Sequence, residues 1–274
     1  MIVEVVYSTK DYEKARKYNV KMAYKKGKVD KVFEYCEDDL SSQFKKKNKQ
    51  ILSCRRGAGY WVWKPYVVDM TLEKIHMGDY LFYCDGGAFV TKDIKQLSHF
   101  MEMENTDLLV FDIVSAIERK WTKRDVFIAL SCDDNRYTET NQRCATYFMI
   151  KKTEKTIALI KEWLTYAENY NLISDVDNLI YHQKNYEGFC ENRHDQSLFS
   201  LLTKKSGYKS YPDISQFRYS FGICERLKES REKNPLPIMV CLHRQRKADF
   251  TSIARETILC YFPKLKRVLH YGYH

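Results

Sequence analysis

Residues 78–90 read GDYLFYCDGGAFV. Residues 79–84, DYLFYC, read as a buried-type strand that ends in Asp85 and is followed by Gly86 and Gly87. The glycines carry no side chain, so a bulky ligand can approach the backbone beside Asp85. A carboxylate at a strand end, with room beside it, suits a hard divalent cation bridging phosphate oxygens. The same residues also suit a turn, in which Asp caps and the glycines take positive φ.

Elements of alternating type extend outward from this strand. Toward the N-terminus, IVEVVY at 2–7 is a β-branched run. No cleavage-site pattern follows it, so it reads as a first strand and not a signal peptide. A helix is expected over 11–26, a strand over 32–35, and helices over 37–47 and 64–75, the last with Val67, Val68, Leu72 and Ile75 on one side. Toward the C-terminus, strands are expected over 107–111, 145–150 and 237–242. Helices are expected over 153–170 and from Asp195 onward. Ten glycines and five prolines in 274 residues leave little room for long flexible connections. Strands alternating with long helices predict an α/β domain, a mostly parallel central sheet flanked by helices. Ligands of such sheets lie at the carboxyl ends of the strands. That places Ser8, Thr9, residues 85–88 and His243 under attention.

Composition excludes several classes. Apolar residues are 44% and aromatics 14%, enough to build a core, so the chain is not disordered despite 30% charge. No run of eighteen apolar residues occurs, so no transmembrane helix is expected. Nine cysteines are scattered without a CxxC pair. That pattern predicts reduced thiols in a cytoplasmic protein, not a disulfide framework or a zinc site. The net charge of +10 favours an anionic partner. The basic residues are dispersed and no RNA- or DNA-binding motif is present, so no specific nucleic-acid partner is expected.

Three more segments carry candidate chemistry. Residues 55–66, RRGAGYWVWKPY, crowd Arg56, Tyr60, Trp61, Trp63 and Lys64 around two glycines. Aromatics there can stack on a base or sugar and cations can meet phosphate. Equally, Trp61 and Trp63 can anchor the helix that starts at Lys64-Pro65. Residues 192–202, NRHDQSLFSLL, place Arg193, His194, Asp195 and Gln196 at a helix N-terminus, a position suited to a substrate hydroxyl or an anion. Residues 241–247, CLHRQRK, carry His243, able to complete a metal site, and Arg244, Arg246 and Lys247, able to neutralise a diphosphate. Glu118, residues 121–125, Gln142 and Arg143 are lesser candidates. The tail, 252–274, mixes aromatic, aliphatic and basic residues. It suits either a helix lying on an anionic bilayer or one packed on the domain.

In the order RGAGYWVWKPYVV, GDYLFYCDGGAFV, WTKRD, NRHDQSLFSLL and a terminal His with basic residues, the chain resembles bacterial polysaccharide glycosyltransferases of the GT-A type, the capsule and lipopolysaccharide kind. The resemblance implies a Rossmann-related catalytic domain over 1–249, followed by a C-terminal helical tail over 250–274. It implies a nucleotide-sugar donor, usually a UDP-sugar, with the nucleoside held at the first strand end by Ser8 and Thr9. Arg56, Tyr60, Trp61, Lys64, Asp85, Gly86, Gly87, His194, Arg244 and Lys247 would complete the donor site. Asp85 matches the first position of the Asp-x-Asp motif, and Gly87 stands at the second. Mn2+ or Mg2+ would then rest on Asp85 and His243, or the site would work without metal through the C-terminal cations. Asp195 and Gln196 resemble the pair beneath the donor sugar in retaining families; in an inverting reading Asp195 is the general base. The acceptor would be a surface glycan or a lipid-linked sugar. The protein would be cytoplasmic, held to the inner face of the membrane by its tail. Two other functions share parts of this pattern. A nucleotidyltransferase would want a glycine after the first strand, which Ser8-Thr9-Lys10-Asp11 lacks. A non-catalytic glycan- or polyanion-binding protein would need no catalytic carboxylate.

Overall fold

The computed structural model describes residues 1–219, 236–243 and 250–262. Its strands are β1 (Ile2–Tyr7), β2 (Lys31–Tyr35), β3 (Tyr80–Cys84), β4 (Ala88–Val90), β5 (Leu108–Ile117), β6 (Asn141–Arg143), β7 (Tyr147–Lys151), β8 (Ser210–Pro212) and β9 (Val240–Leu242). The longer helices are α1 (Glu13–Met22), α2 (Trp63–Leu72), α3 (Lys95–Met103), α4 (Glu154–Ala167), α5 (Asp195–Lys205) and α6 (Phe250–Tyr261).

Seven strands form the central sheet in the order β2-β1-β3-β7-β5-β6, with β8 also paired to β5. β2, β1 and β3 are mutually parallel. β7 lies antiparallel between β3 and β5, and β8 runs parallel to β5. Five of the seven strands therefore share one direction, with β7 and β6 reversed. All six residues of β1 are buried, because helices cover both faces of the sheet. On one face, Val67 and Leu72 of α2, Ile160 and Trp163 of α4 and Leu198 and Phe199 of α5 pack on Val3, Val5, Leu81 and Phe148. On the other, Leu97, Phe100 and Met101 of α3 pack with Phe82, Leu109 and Met149. α4 starts where Thr153 accepts the Thr156 N–H, so its apolar stripe begins in register with the sheet.

Three expectations change. The helix over 37–47 breaks into a turn, Glu37–Asp39, and a short helix, Ser42–Lys47. Asp39 takes the Cys36 N–H and Ser41 takes the Phe44 N–H, and these local bonds compete with a continuous helix. The late strand shortens to Val240–Leu242 and leaves the central sheet to pair antiparallel with β4; Pro237 brings no N–H to a ladder. Residues 174–194 contain no helix or strand, a longer connection than the low glycine and proline content predicted. Side chains hold it in place. Asp125 accepts the N–H groups of Ile180 and Tyr181, Asn178 accepts the Asp125 N–H, and the Lys123 ammonium donates to the carbonyls of Ser174 and Val176. The 121–125 segment thus anchors this loop.

Ile253 and Cys260 of α6 pack with Met22, Phe89, Ile238 and Cys241. Ile258, Tyr261 and Phe262 stay exposed. Arg244, Lys247 and the rest of the tail, 263–274, lie outside the described residues. Among the described residues no helix is long and apolar enough to cross a membrane.

Candidate active site

A cleft of about 920 Å³ opens at the carboxyl ends of β1, β2 and β3. Four distant segments line most of it: 7–12, 52–64, 85–87 and 191–196. At its floor, the Lys64 ammonium lies 2.8 Å from Asp195 and 3.3 Å from Asp85, and donates to the Ala145 carbonyl at 3.0 Å. Each group arrives by a simple route. Lys64 precedes Pro65 in the first turn of α2, Asp85 follows β3, and Asp195 opens α5. The Tyr83 hydroxyl donates to Asp85 at 2.5 Å.

Burial sets the charges. Asp195 is 3% exposed, and burial pushes its carboxyl up to about 6, against the opposing pull of Lys64. Burial alone would lower the Lys64 ammonium, but Asp195 and Asp85 more than offset it, so Lys64 stays charged. Removing one member of such a pair strands the other and costs about 3–5 kcal/mol. His194 is different. Burial pushes its imidazole down to about 4, so the ring is neutral, and its Nδ1 donates to the Ile173 carbonyl at 2.7 Å.

Gln196 is held in turn. Its Oε1 accepts the Ala145 N–H at 3.3 Å and its Nε2 donates to Gln142 at 2.7 Å. Gln142 continues to Ser197 and Thr122, both at 3.2 Å, and to Glu118, whose partner is Lys204 at 2.7 Å. Glu118, Gln142 and their neighbours, read from sequence as lesser site candidates, thus support the start of α5 from beneath.

The wall opposite is strained. Residues 57–61 all have positive φ: 58°, 49°, 93°, 51° and 59°. Ala58, Tyr60 and Trp61 are not glycine, and each costs about 1–2 kcal/mol in this left-handed turn. Tertiary contacts hold it. The Trp63 indole donates to the Gly57 carbonyl, Tyr60 and Trp61 stack on His194 at 4.7 and 5.6 Å, and Arg56 pairs with Asp175 and Glu191. Gly59 also has no room: a Cβ would lie 2.9 Å from the Leu52 Cα. Gly59→Ala is expected to lower stability by about 2–3 kcal/mol. Gly78→Ala, at φ 86° but with nothing within 4 Å, should lose less. Urea unfolding of both variants separates the clash from the φ strain, and equal losses would show that Leu52 yields freely.

The glycine pair after Asp85 serves two ends. The Ala88 N–H bonds to the Asp85 carbonyl at 2.9 Å, which makes the segment a turn. A Cβ on Gly86 would lie 3.1 Å from the Tyr7 carbonyl oxygen, so glycine also lets the ends of β1 and β3 close together.

Of the residues expected from sequence, Ser8, Thr9, Arg56, Trp61, Lys64, Asp85, Gly86, Gly87, His194, Asp195 and Gln196 line this one cleft. Others are placed differently. Tyr60 packs behind it on His194. Trp63 combines both readings, lining the cleft while stacking on Tyr7 at 3.9 Å. Lys64, expected to meet phosphate in the donor site, is instead engaged by two carboxylates and a carbonyl. Arg56, expected in the same role, is tied to acids of the 174–194 loop. Glu191 and Cys54 line the cleft without having been singled out; neither lies in a segment with a local signal. His243 is not among the lining residues. It is 6% exposed beside Phe89, and burial pushes its imidazole down to about 4. Among the described residues no group of three or more His, Cys, Asp or Glu could hold a metal ion. Asp85, moreover, already has an ammonium beside it. His243 nevertheless adjoins the cleft, its N–H bonded to the Gly87 carbonyl at 3.1 Å, and a divalent ion on Asp85 would have to meet the Lys64 ammonium 3.3 Å from that carboxylate.

No protein-family profile matches the sequence, and no curated protein does. Solved structures do match. The galactosyltransferase LgtC, in complex with donor and acceptor sugar analogs, is 13% identical with a TM-score of 0.51, over 96% of both chains. An active-site glutamine-to-glutamate mutant of LgtC is 14% identical, again with a TM-score of 0.51 over 96% of both chains. The chain has the GT-A glycosyltransferase fold, a mixed α/β sheet flanked by helices.

Proposed function

We propose that this protein is a glycosyltransferase that moves a sugar from a nucleotide-sugar, a UDP-sugar, to a surface glycan or lipid-linked acceptor of the bacterial polysaccharide kind. One observation carries the reading: Asp85 and Asp195, 110 residues apart in sequence, converge on Lys64 at the floor of a cleft of about 920 Å³ at the strand ends. That LgtC was solved with donor and acceptor sugar analogs supports the reading. Ser8 and Thr9 hold the nucleoside, and Trp61 offers a ring for stacking. The bond between the anomeric carbon and the phosphate oxygen breaks with its electron pair leaving on the diphosphate. Positive charge develops on the sugar, and the ionised Asp195 beneath it, with the Gln196 amide, stabilises that charge. The acceptor oxygen bonds to the anomeric carbon and its proton passes to the departing phosphate. The reaction proceeds with retention. The Asp195 side chain is only 5% exposed and is paired to Lys64, a place for an electrostatic stabiliser more than for a base meeting an incoming hydroxyl.

A thermal-shift series with UDP-, GDP-, ADP- and CMP-sugars tests the donor class. At about a hundred times Kd a ligand adds about 2.7 kcal/mol to stability. That is a rise of about 5–10 °C in a domain of this size. No shift with any of them would refute the reading.

The exposed Ile258, Tyr261 and Phe262 of the terminal segment are followed in sequence by Lys264, Lys266 and Arg267. We place this end of the protein against an anionic bilayer, where a lipid-linked acceptor would reside. Removing residues 263–274 is expected to weaken binding to phosphatidylglycerol vesicles about a hundredfold, read by co-sedimentation, since three basic residues at about 1 kcal/mol each are lost near the surface. Unchanged sedimentation would end this placement.

A further inference from the structure

The two carboxylates on the cleft floor already share a cation. The Lys64 ammonium is 3% exposed and meets Asp195 at 2.8 Å, Asp85 at 3.3 Å and the Ala145 carbonyl at 3.0 Å. The ammonium donates a hydrogen bond to the Ala145 carbonyl and forms ion pairs with both carboxylates, so its charge is already engaged before any ligand enters. The same Asp85 oxygen accepts the Tyr83 hydroxyl. Gly87 stands where an Asp-x-Asp motif would place its second acid. A divalent ion on Asp85 would sit beside this ammonium, and like charges a few ångströms apart repel. It would also lack the neighbouring acid that helps to fill its oxygen shell.

We propose that the buried ammonium of Lys64 takes the place of a divalent cation in this cleft, neutralising Asp85 and Asp195 from beneath so that a nucleoside diphosphate-sugar binds without metal. The ligand in this statement rests on the transferase reading; the electrostatic role of Lys64 does not. Without the lysine, two carboxylates would face each other across a small gap. They would then either share a proton or draw in a dication. A methionine at position 64 has about the same length and no charge, so Lys64→Met exposes that choice.

The test uses the full chain and two probes. The first is Mn2+ alone, titrated by electron paramagnetic resonance. The wild type is expected to show no site tighter than about 1 mM. Lys64→Met is expected to gain one, and to lose it again on adding Asp85→Asn. A wild-type Mn2+ site that Asp85→Asn removes would overturn the proposal, as would a folded Lys64→Met variant that binds no Mn2+. The second probe is UDP or GDP, titrated calorimetrically into the wild type in EDTA and in MnCl2. Affinities are expected to agree within about threefold, and a gain of about tenfold or more in manganese would overturn the proposal. Should Lys64→Met fail to fold, both wild-type titrations still decide. Should neither nucleotide bind in either buffer, the transferase reading falls, and the metal-free binding proposed here falls with it; the Mn2+ titration still judges the role of Lys64 separately.

Discussion

Asp195→Asn is expected to lower sugar transfer by about 10²–10³-fold while the protein stays folded. The magnitude is that of removing one preorganised electrostatic partner of a transition state. The variant keeps the size of the side chain and removes its charge. Lys64 retains Asp85 and the Ala145 carbonyl, so it is not left alone in the core. The loss of stability should therefore stay near the lower end of the range for a broken buried charge pair, about 3 kcal/mol. A pH profile makes the result specific. The Asp195 carboxyl, raised by burial to about 6, is ionised above that pH and neutral below it. Wild-type transfer should decline as pH falls through about 6, and the Asn variant should lack that decline. Full turnover by Asp195→Asn, with the acid limb intact, would remove Asp195 from the reaction.

Glu4→Gln should stabilise the protein, and by more as pH rises. Glu4 sits in the middle of β1 and is fully buried. Neither of its carboxylate oxygens has a hydrogen-bond partner among the described residues. Burial pushes its carboxyl from 4.5 up to about 8, with Asn19 offsetting part of the shift. The folded state thus holds a proton that the unfolded state releases near pH 4.5. Folding stability is fully present below that pH, declines as pH rises, and levels off once pH passes the folded value near 8. At pH 7 the penalty is about 3 kcal/mol, and above pH 8 about 5 kcal/mol. Glutamine carries no such proton. Urea unfolding should therefore show the variant about 3 kcal/mol more stable at pH 7 and equal to the wild type at pH 4. A difference that does not change with pH would mean that Glu4 is already paired in the folded protein.

The fold was legible where short-range pattern decides. The β-branched run at 2–7, the apolar run before Asp85 and the amphipathic stretch after Thr153 became β1, β3 and α4 with small changes at their ends. The reversal of β7 was not legible. A strand buried on both faces, such as Tyr147–Lys151, has the same apolar run whichever way it points. The left-handed turn at 57–61 was half legible. Two glycines marked a bend, but nothing local told that Ala58, Tyr60 and Trp61 would share it, since stacking on His194 is among the contacts that hold that strain. Glu4 gave no signal either, because a single acid in a β-branched strand ordinarily points to water.

The amino-acid sequence alone determined the alternation of strands and helices. It also marked two acids, Asp85 and Asp195, at a strand end and a helix start, because such preferences are settled among residues a few positions apart. Tertiary structure alone decided that a lysine lies between those acids, that Arg56 answers to the 174–194 loop, and that the His243 ring packs on Phe89 while its N–H meets the Gly87 carbonyl. These outcomes depend on how segments more than a hundred residues apart pack around one sheet, and no local spacing encodes the direction in which a buried ammonium will reach.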